Sequence, residues 1–475
     1  MTALYLLFSV FFAGILFVNR NELVNKIFVR LFLLLQIMFT LYEFTIKGEV
    51  DFQYFRPDAL ALLLLGTLTI ITIPALLHSY DYIYREKDNP RTRGIYYGAM
   101  VLLIMALSAA YLSSHIAVTW IFVEITTLSS SALIFHRRNA GSVEATWKYI
   151  FVCSVSLAIV FIGILFLTLA IGKGNDESLY YQNLRDLAPR LNTEWLKLAF
   201  LFIFSGFTVK LGLLPMFTAG IDAKDKAPTP AGALFSSVLM NVGFIGIFRF
   251  YEVVAQTSIR NWSNLIMMIA AILSVFIAAV YMLKVKNIKR MLAYSSIEHM
   301  GIVMIGLSAG GIGYYAAILH LILHSFAKSS FFLQIGHLYK TYKTKNIDDI
   351  GNYFNLHISG GVFMILAFIC ITAMPPSGLF ISEFYVIRAL FEAGNFWVLV
   401  PLLILLTTII WALGNNIFRM LFSSASGKLS SEPEKINRDE TIMQYVLLGL
   451  VVYLGIFPPD FFVDLITEAV SHLMH

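Results

Sequence analysis

Six ionisable side chains sit in stretches otherwise too apolar to hold them. They are Glu124 in TWIFVEITTL, Lys210 in GFTVKLGLLPMF, His320, His324 and Lys328 in HLILHSFAKSS, and Glu383 in ITAMPPSGLFISEF. A charged group at the centre of a bilayer costs roughly 2.5–3.5 kcal/mol or more, so each one is a candidate for function. The chemistry available to them is proton transfer. His320, His324 and Lys328 are spaced four apart, which puts them on one helix face. Histidine titrates near neutral pH, so two imidazoles and an amine in a row, with water between them, can hand a proton along. An acid near a lysine, as Glu124 and Lys210 would be across two helices, lets protonation of one change the affinity of the other. The alternatives are polar packing for the histidine face and a static ion pair for Glu124 and Lys210. Four secondary candidates follow: Lys148, Lys224, Asn241 and His299. Lys148 stands at the start of its span, where a headgroup-reaching lysine is the simpler reading. Arg249, near the end of another span, is read as an anchor or as a partner for Glu252.

These side chains need elements to hold them. The chain has 475 residues, 58% hydrophobic and 13% charged, where a soluble domain carries about 25% charged residues. The apolar residues come in blocks of roughly 18–25, the length a helix needs to cross a bilayer. The blocks recur to the end of the chain, so the first is not read as a cleaved leader. The pattern predicts an all-α integral membrane protein with about fourteen spans, near residues 2–18, 26–45, 58–79, 95–112, 115–136, 147–171, 196–216, 229–253, 263–283, 291–309, 312–339, 357–389, 396–421 and 441–458. An amphipathic tail, 460–475, follows.

Two spans are interrupted. The seventh has Lys210 just before Gly212 and Pro215, and the twelfth has Pro375 and Pro376 before Glu383. Proline opens the helical ladder, and a matched pair of broken spans marks an inverted-repeat transporter. The expected organisation is therefore N-terminal helices over 1–94, a five-helix repeat over 95–257 (spans 4–8), its inverted counterpart over 258–422 (spans 9–13), and a last helix with its tail over 423–475. Lys and Arg gather in the odd-numbered connections, as at Arg91 and Arg93, Arg137 and Arg138, Lys286 to Arg290, Lys343 and Lys345, and Lys428 and Lys435. By the positive-inside rule, both termini face away from the cytoplasm.

Several functions find no support. A net charge of +5 without a basic cluster argues against a nucleic-acid partner. Cys153 and Cys370, each inside an apolar block, form neither a disulfide nor a metal motif. There is no phosphate-binding GxxxxGK[ST] loop and no dinucleotide fingerprint, and no cysteine set for an iron–sulfur cluster. No cofactor and no metal are expected. The energy source must lie in another subunit or in an ion gradient.

The stretch VKLGLLPMFTAGIDAKDKAPTPAGALFSSVLMNVGFIGIFR resembles the signature of the proton-translocating, antiporter-like subunits of respiratory complex I. Group 4 [NiFe] hydrogenases and multisubunit cation/proton antiporters carry members of the same family. EATWKYIFVCSVSLAIVFIG, KNIKRMLAYSSIEHMGIV and AMPPSGLFISEF look most similar to hydrogenase-4 component F. The resemblance covers about residues 95–422. It implies fourteen helices in two inverted repeats, a Glu on the fifth helix coupled to a Lys on the broken seventh (here Glu124 and Lys210), the eleventh-helix positions His320, His324 and Lys328, and Glu383 on the broken twelfth. Two positions depart from the pattern. Asn241 stands where complex I relatives carry a central lysine, and Asp222, Ala223 and Lys224 stand where the family loop reads DAH.

The leading expectation is a proton-translocating membrane subunit of a hydrogenase-4-like or complex I-like assembly, with no catalysis of its own. It would lie in the inner membrane beside other membrane subunits and a peripheral hydrogenase or dehydrogenase module. The alternatives are a subunit of a multisubunit Na⁺/H⁺ antiporter and the energy-coupling membrane partner of an inorganic-carbon uptake system.

Overall fold

The computed structural model describes residues 1–85, 89–172, 179–424 and 438–474. Lys428 and Lys435 lie outside them. The chain is helical, and no strand occurs among the described residues, which form only isolated bridges. The elements in order are α1 (Thr2–Val18), α2 (Glu22–Thr45), α3 (Ala59–Arg85), α4 (Pro90–Leu112), α5 (Ile116–Ile134), α6 (Ala140–Ile171) and α7 (Tyr181–Leu187). Then come α8 (Thr193–Leu211), α9 (Thr218–Lys226), α10 (Thr229–Phe235), α11 (Val238–Val254), α12 (Arg260–Met282), α13 (Ile288–Ala309) and α14 (Ile312–Tyr342). The last are α15 (Tyr353–Leu356), α16 (Ile358–Ile371), α17 (Gly378–Glu392), α18 (Phe396–Phe422), α19 (Arg438–Ile456) and α20 (Asp460–Val470). Among the described residues, ten helical stretches are long and apolar enough to cross a membrane, α10 and α11 counted as one, or eleven if the α19–α20 pair, bent by 71°, counts as a further one.

Local chemistry sets many of the ends. Asparagine side chains at 21, 89, 139, 192 and 287 accept the first free amides of α2, α4, α6, α8 and α13. Pro90 opens α4, where no amide is needed. Gly212, at φ +82°, ends α8 one residue past Leu211, the left-handed stop that a glycine permits. The eighth apolar block holds a break that the sequence reading passed over: α10 stops at Phe235 and α11 restarts at Val238. The short α7 in the connection before α8 was not foreseen either.

The helices sort by exposure. The membrane-length stretches of α10–α11, α13 and α14 are wholly buried, while those of α2, α6, α12 and α18 keep most of their apolar residues on the surface. A soluble protein hides its apolar faces, but here Phe151, Leu165, Phe276, Trp397 and Trp411 stand open, as lipid-facing helices require. The connections gather at two ends. At one end the Met1 amine meets Asp51 at 2.8 Å, Arg249 meets Asp58 at 3.0 Å, Arg185 meets Glu252 at 3.1 Å and Arg260 reaches the Leu473 carbonyl at 3.4 Å. Both described chain ends therefore lie there. At the other end Arg93 meets Glu22 at 3.6 Å, Lys345 meets Asp225 at 3.3 Å and Arg290 pairs with Asp222. Arg249 is thus bound to Asp58 rather than to Glu252, whose partner is Arg185, an arginine on α7.

The break between α16 and α17 spans residues 372–377, and α17 is held where it crosses α19 at two glycines. A Cβ on Gly455 would fall 2.0 Å from the Gly378 Cα, and one on Gly378 would fall 2.2 Å from the Val451 carbonyl oxygen. Small residues at a crossing let helix backbones touch inside a membrane. Gly455→Ala should force the two helices apart and cost about 1–3 kcal/mol, the usual penalty for overpacking. The expected result is a lower thermal unfolding temperature for the purified chain in detergent. An unchanged temperature would show that the crossing opens freely.

Candidate functional site

The structure brings most of the sequence-predicted side chains into two groups inside the helix bundle. In the first, Lys210 occupies the last turn of α8. It is 4% exposed and donates to Thr127 Oγ1 at 2.9 Å and to the Tyr149 hydroxyl at 3.0 Å. Its ammonium also lies 5.1 Å from the Tyr149 ring centroid, close enough for a cation–π contribution. Glu124 is half-buried on α5, three residues before Thr127, and its Oε2 has no hydrogen-bond partner among the described residues. Glu124 and Lys210 form no ion pair within 4.0 Å among the described residues. The Thr127 hydroxyl, on the same helix as Glu124, is what Lys210 reaches. Lys148 is exposed and pairs with Glu144 one turn back at 2.5 Å, so it stands outside the buried group.

The second group repeats this chemistry with different helices. Lys328 of α14 is fully buried and donates to Ser295 Oγ at 2.6 Å, with the Leu292 carbonyl at 3.5 Å. Ser295 in turn reaches Glu298 Oε2 at 3.5 Å. Lysine, hydroxyl and glutamate again stand in sequence, with the hydroxyl three residues from the acid. Glu298 was missed by the sequence reading, although its signal was visible: it is a carboxylate inside the apolar run of α13 and it directly precedes His299.

His299 belongs to this second group. It is fully buried, and its Nδ1 lies 2.9 Å from His320 Nε2. His320 Nδ1 lies 2.9 Å from Ser382 Oγ, beside Glu383 on α17. The His324 ring stands 5.1 Å from the His299 ring, with both its nitrogens unpartnered among the described residues. The shared face of His320, His324 and Lys328 is therefore turned wholly inward, and it continues across α13 to α17.

Two elements sit between the groups. Asn241 of α11 exchanges hydrogen bonds with Ser325 of α14, at 3.1 and 3.2 Å, so it fastens the two helices. Lys224 of α9 is 4% exposed, and its ammonium donates to the Met240 sulfur at 3.1 Å. Its neighbour Asp225 anchors the same short helix, accepting from Asn287 at 2.9 Å and pairing with Lys226 at 3.1 Å.

Away from this row, a cavity of about 450 Å³ opens at the end that holds the chain termini, lined by Arg56, Asp58, Arg185, Arg249 and Glu252. The ion pairs across it satisfy its charges.

Thr127→Val keeps the volume but takes away a partner of a buried ammonium. A hydrogen bond to a charged group is worth about 1.5–3 kcal/mol. The valine variant should lower the thermal unfolding temperature of the purified chain at neutral pH, and Thr127→Ser should restore it. Equal stability in all three chains would show that Lys210 does not depend on this hydroxyl.

Residues 113–410 match the family described as NADH:quinone oxidoreductase/Mrp antiporter, TM. The chain is 29% identical over 354 residues to a hydrogenase-4 component F homolog of Methylacidiphilum infernorum (isolate V4), covering 73% of this chain and 74% of that one. Its fold is that of a chain in the archaeal membrane-bound sulfane sulfur reductase, with a TM-score of 0.87 at 22% identity over 100% of this chain and 98% of that chain. It also matches a chain of the Mrp complex from Dietzia sp. DQ12-45-1b, with a TM-score of 0.84 at 15% identity over 99% and 97% of the two chains. With well over half its length matched and a multi-pass apolar helical fold, this protein belongs to the NADH:quinone oxidoreductase/Mrp antiporter transmembrane family.

Proposed function

We propose that this chain carries protons across the membrane as a non-catalytic subunit of a redox-driven complex of the hydrogenase-4 or complex I type. One observation carries the reading: two inward-facing rows of polar side chains, Glu124, Thr127 and Lys210 in one and Lys328, Ser295, Glu298, His299, His320, Ser382 and Glu383 in the other, with Lys224 buried on α9. Burying this many titratable groups is costly unless they are used. Nearly every joint in these rows is a hydroxyl, an imidazole or an amine that can both receive and release a proton. The resemblance to a hydrogenase component favours the redox-driven assembly over an antiporter. Its partners would be other membrane subunits and a peripheral redox module.

The reading includes fourteen spans. Adding α1, α8, the divided α16–α17 pair and the bent α19–α20 pair to the ten long helices supports that count. It also includes two five-helix repeats over 95–257 and 258–422, with 1–94 and 423–475 outside them. In support, α5 packs on α4 and α6 as α13 packs on α12 and α14. Glu124 and Glu298 lie on the second helix of each set, and the fourth helix of each is broken, after Lys210 and before Glu383. Both termini would face away from the cytoplasm, with Asp222, Asp225 and Arg290 at the inner mouth.

The test is proton uptake into vesicles driven by the assembled complex, with assembly checked separately. Lys210→Ala should reduce uptake by at least about tenfold, since a positioned proton carrier is worth typically 10²–10⁴-fold in rate. Full uptake by an assembled Lys210→Ala complex would overturn the reading.

A further inference from the structure

The helices that close the second group also assemble a ligand set that no single stretch of sequence contains. A ring nitrogen each of His299 on α13 and His320 on α14, and a carboxylate oxygen of Glu383 on α17, lie within 4.8 Å of one another. Two imidazoles and one carboxylate are a donor set that zinc takes, with a fourth position left for water. The sequence reading expected no metal because it looked for ligands at local spacing, and here three helices supply one each.

The surrounding hydrogen bonds settle which ring atoms are available. Ser382 donates to the Leu379 carbonyl at 2.9 Å, so its oxygen receives the proton on His320 Nδ1. His320 is therefore the tautomer with a bare Nε2, and that atom faces His299 Nδ1 at 2.9 Å. One proton fills the gap between the rings. On the far side of His299, Nε2 is buried without a hydrogen bond among the described residues and stands 3.7 Å from Glu298 Oε2. Moving the proton of His299 from Nδ1 to Nε2 would give it an acceptor and leave two nitrogen lone pairs facing each other beside Glu383.

We propose that His299, His320 and Glu383 form a binding site for a divalent transition-metal ion of the Zn²⁺ class, held between α13, α14 and α17. The ion takes the place of the proton between the rings. That proton shifts to Nε2 within His299, and a protonated Glu383 gives its proton up on ligation. Nitrogen ligands of a tetrahedral zinc stand about 3.3 Å apart, given Zn–N bonds of about 2.0–2.1 Å, so the rings need to part by only a few tenths of an ångström. The supporting contacts are in place. Ser382 holds the outer nitrogen of His320, and Glu298 stands at the outer nitrogen of His299, the arrangement that orients histidine ligands in metal sites. Glu383, the one ligand not fully enclosed, leaves the site a way in. A bound ion would pin α17 and stop proton passage. That consequence rests on the transport reading, whereas binding itself does not.

The test is titration of the full, tag-free chain in detergent with Co²⁺, whose visible absorption reports a four-coordinate site, followed by displacement with Zn²⁺. One equivalent of Co²⁺ should give the bands, and Zn²⁺ should remove them. His320→Ala and Glu383→Gln should each abolish the bands in chains whose unfolding temperature confirms folding. Ser382→Ala leaves all three ligands and should weaken binding by about 10–100-fold, the usual cost of losing such a partner. His324→Ala, which alters a neighbouring histidine outside the set, should bind as the unaltered chain does. Absence of bands in the unaltered chain, or bands that survive both His320→Ala and Glu383→Gln, would overturn the site.

Discussion

Every charge held between these helices must be satisfied by a polar atom from another helix, because lipid offers none. The protein meets this demand in a particular way. Lys210 and Lys328 are held by the hydroxyls of Thr127, Tyr149 and Ser295 rather than by direct carboxylate pairs. A buried ion pair with good geometry would be a fixed joint, and removing either charge would leave the other stranded. A hydroxyl lets the amine keep or lose its proton and still find a partner, since the hydroxyl donates as readily as it accepts. Each carboxylate stands on the same helix as that hydroxyl, three residues from it: Glu124 beside Thr127 and Glu298 beside Ser295.

That constraint accounts for much of the architecture. Hydroxyls and amines must come from different helices, so α13 and α14 are buried all round and the lipid-facing work falls to α2, α6, α12 and α18. Helix breaks fall where the row needs access. Gly212 stops α8 two residues after Lys210, and the interruption at 372–377 sits just before the α17 turn that carries Ser382 and Glu383. The Gly378–Gly455 crossing then fixes α17 against α19, which keeps Ser382 within reach of His320.

The helical class, the block lengths and the two principal breaks were legible in the sequence, because each depends on composition or on proline and glycine at one place in the chain. So was the inward face of α14, because a spacing of four is a local property. What lay beyond reading were relations between helices. Nothing local shows that His299 meets His320, or that Lys224 turns inward while Lys148 turns out to Glu144. That Lys210 reaches the Thr127 hydroxyl on the Glu124 helix was hidden for the same reason: side-chain reach across two helices is set by packing. Glu298 is a different matter. It was as visible as Glu124, and its partner Ser295, three residues earlier, is the mirror of the Glu124–Thr127 spacing.

We propose that the two buried groups work as one row, with Lys224 as the joint where Asn241 provides only a structural link. The most direct measurement is redox-driven proton uptake by assembled complexes carrying Lys224→Gln, alone and together with Asn241→Lys. The account predicts that Lys224→Gln stops uptake while assembly persists, and that a lysine restored at 241 recovers part of it. Undiminished uptake by the Lys224→Gln complex would contradict a row that runs through this side chain.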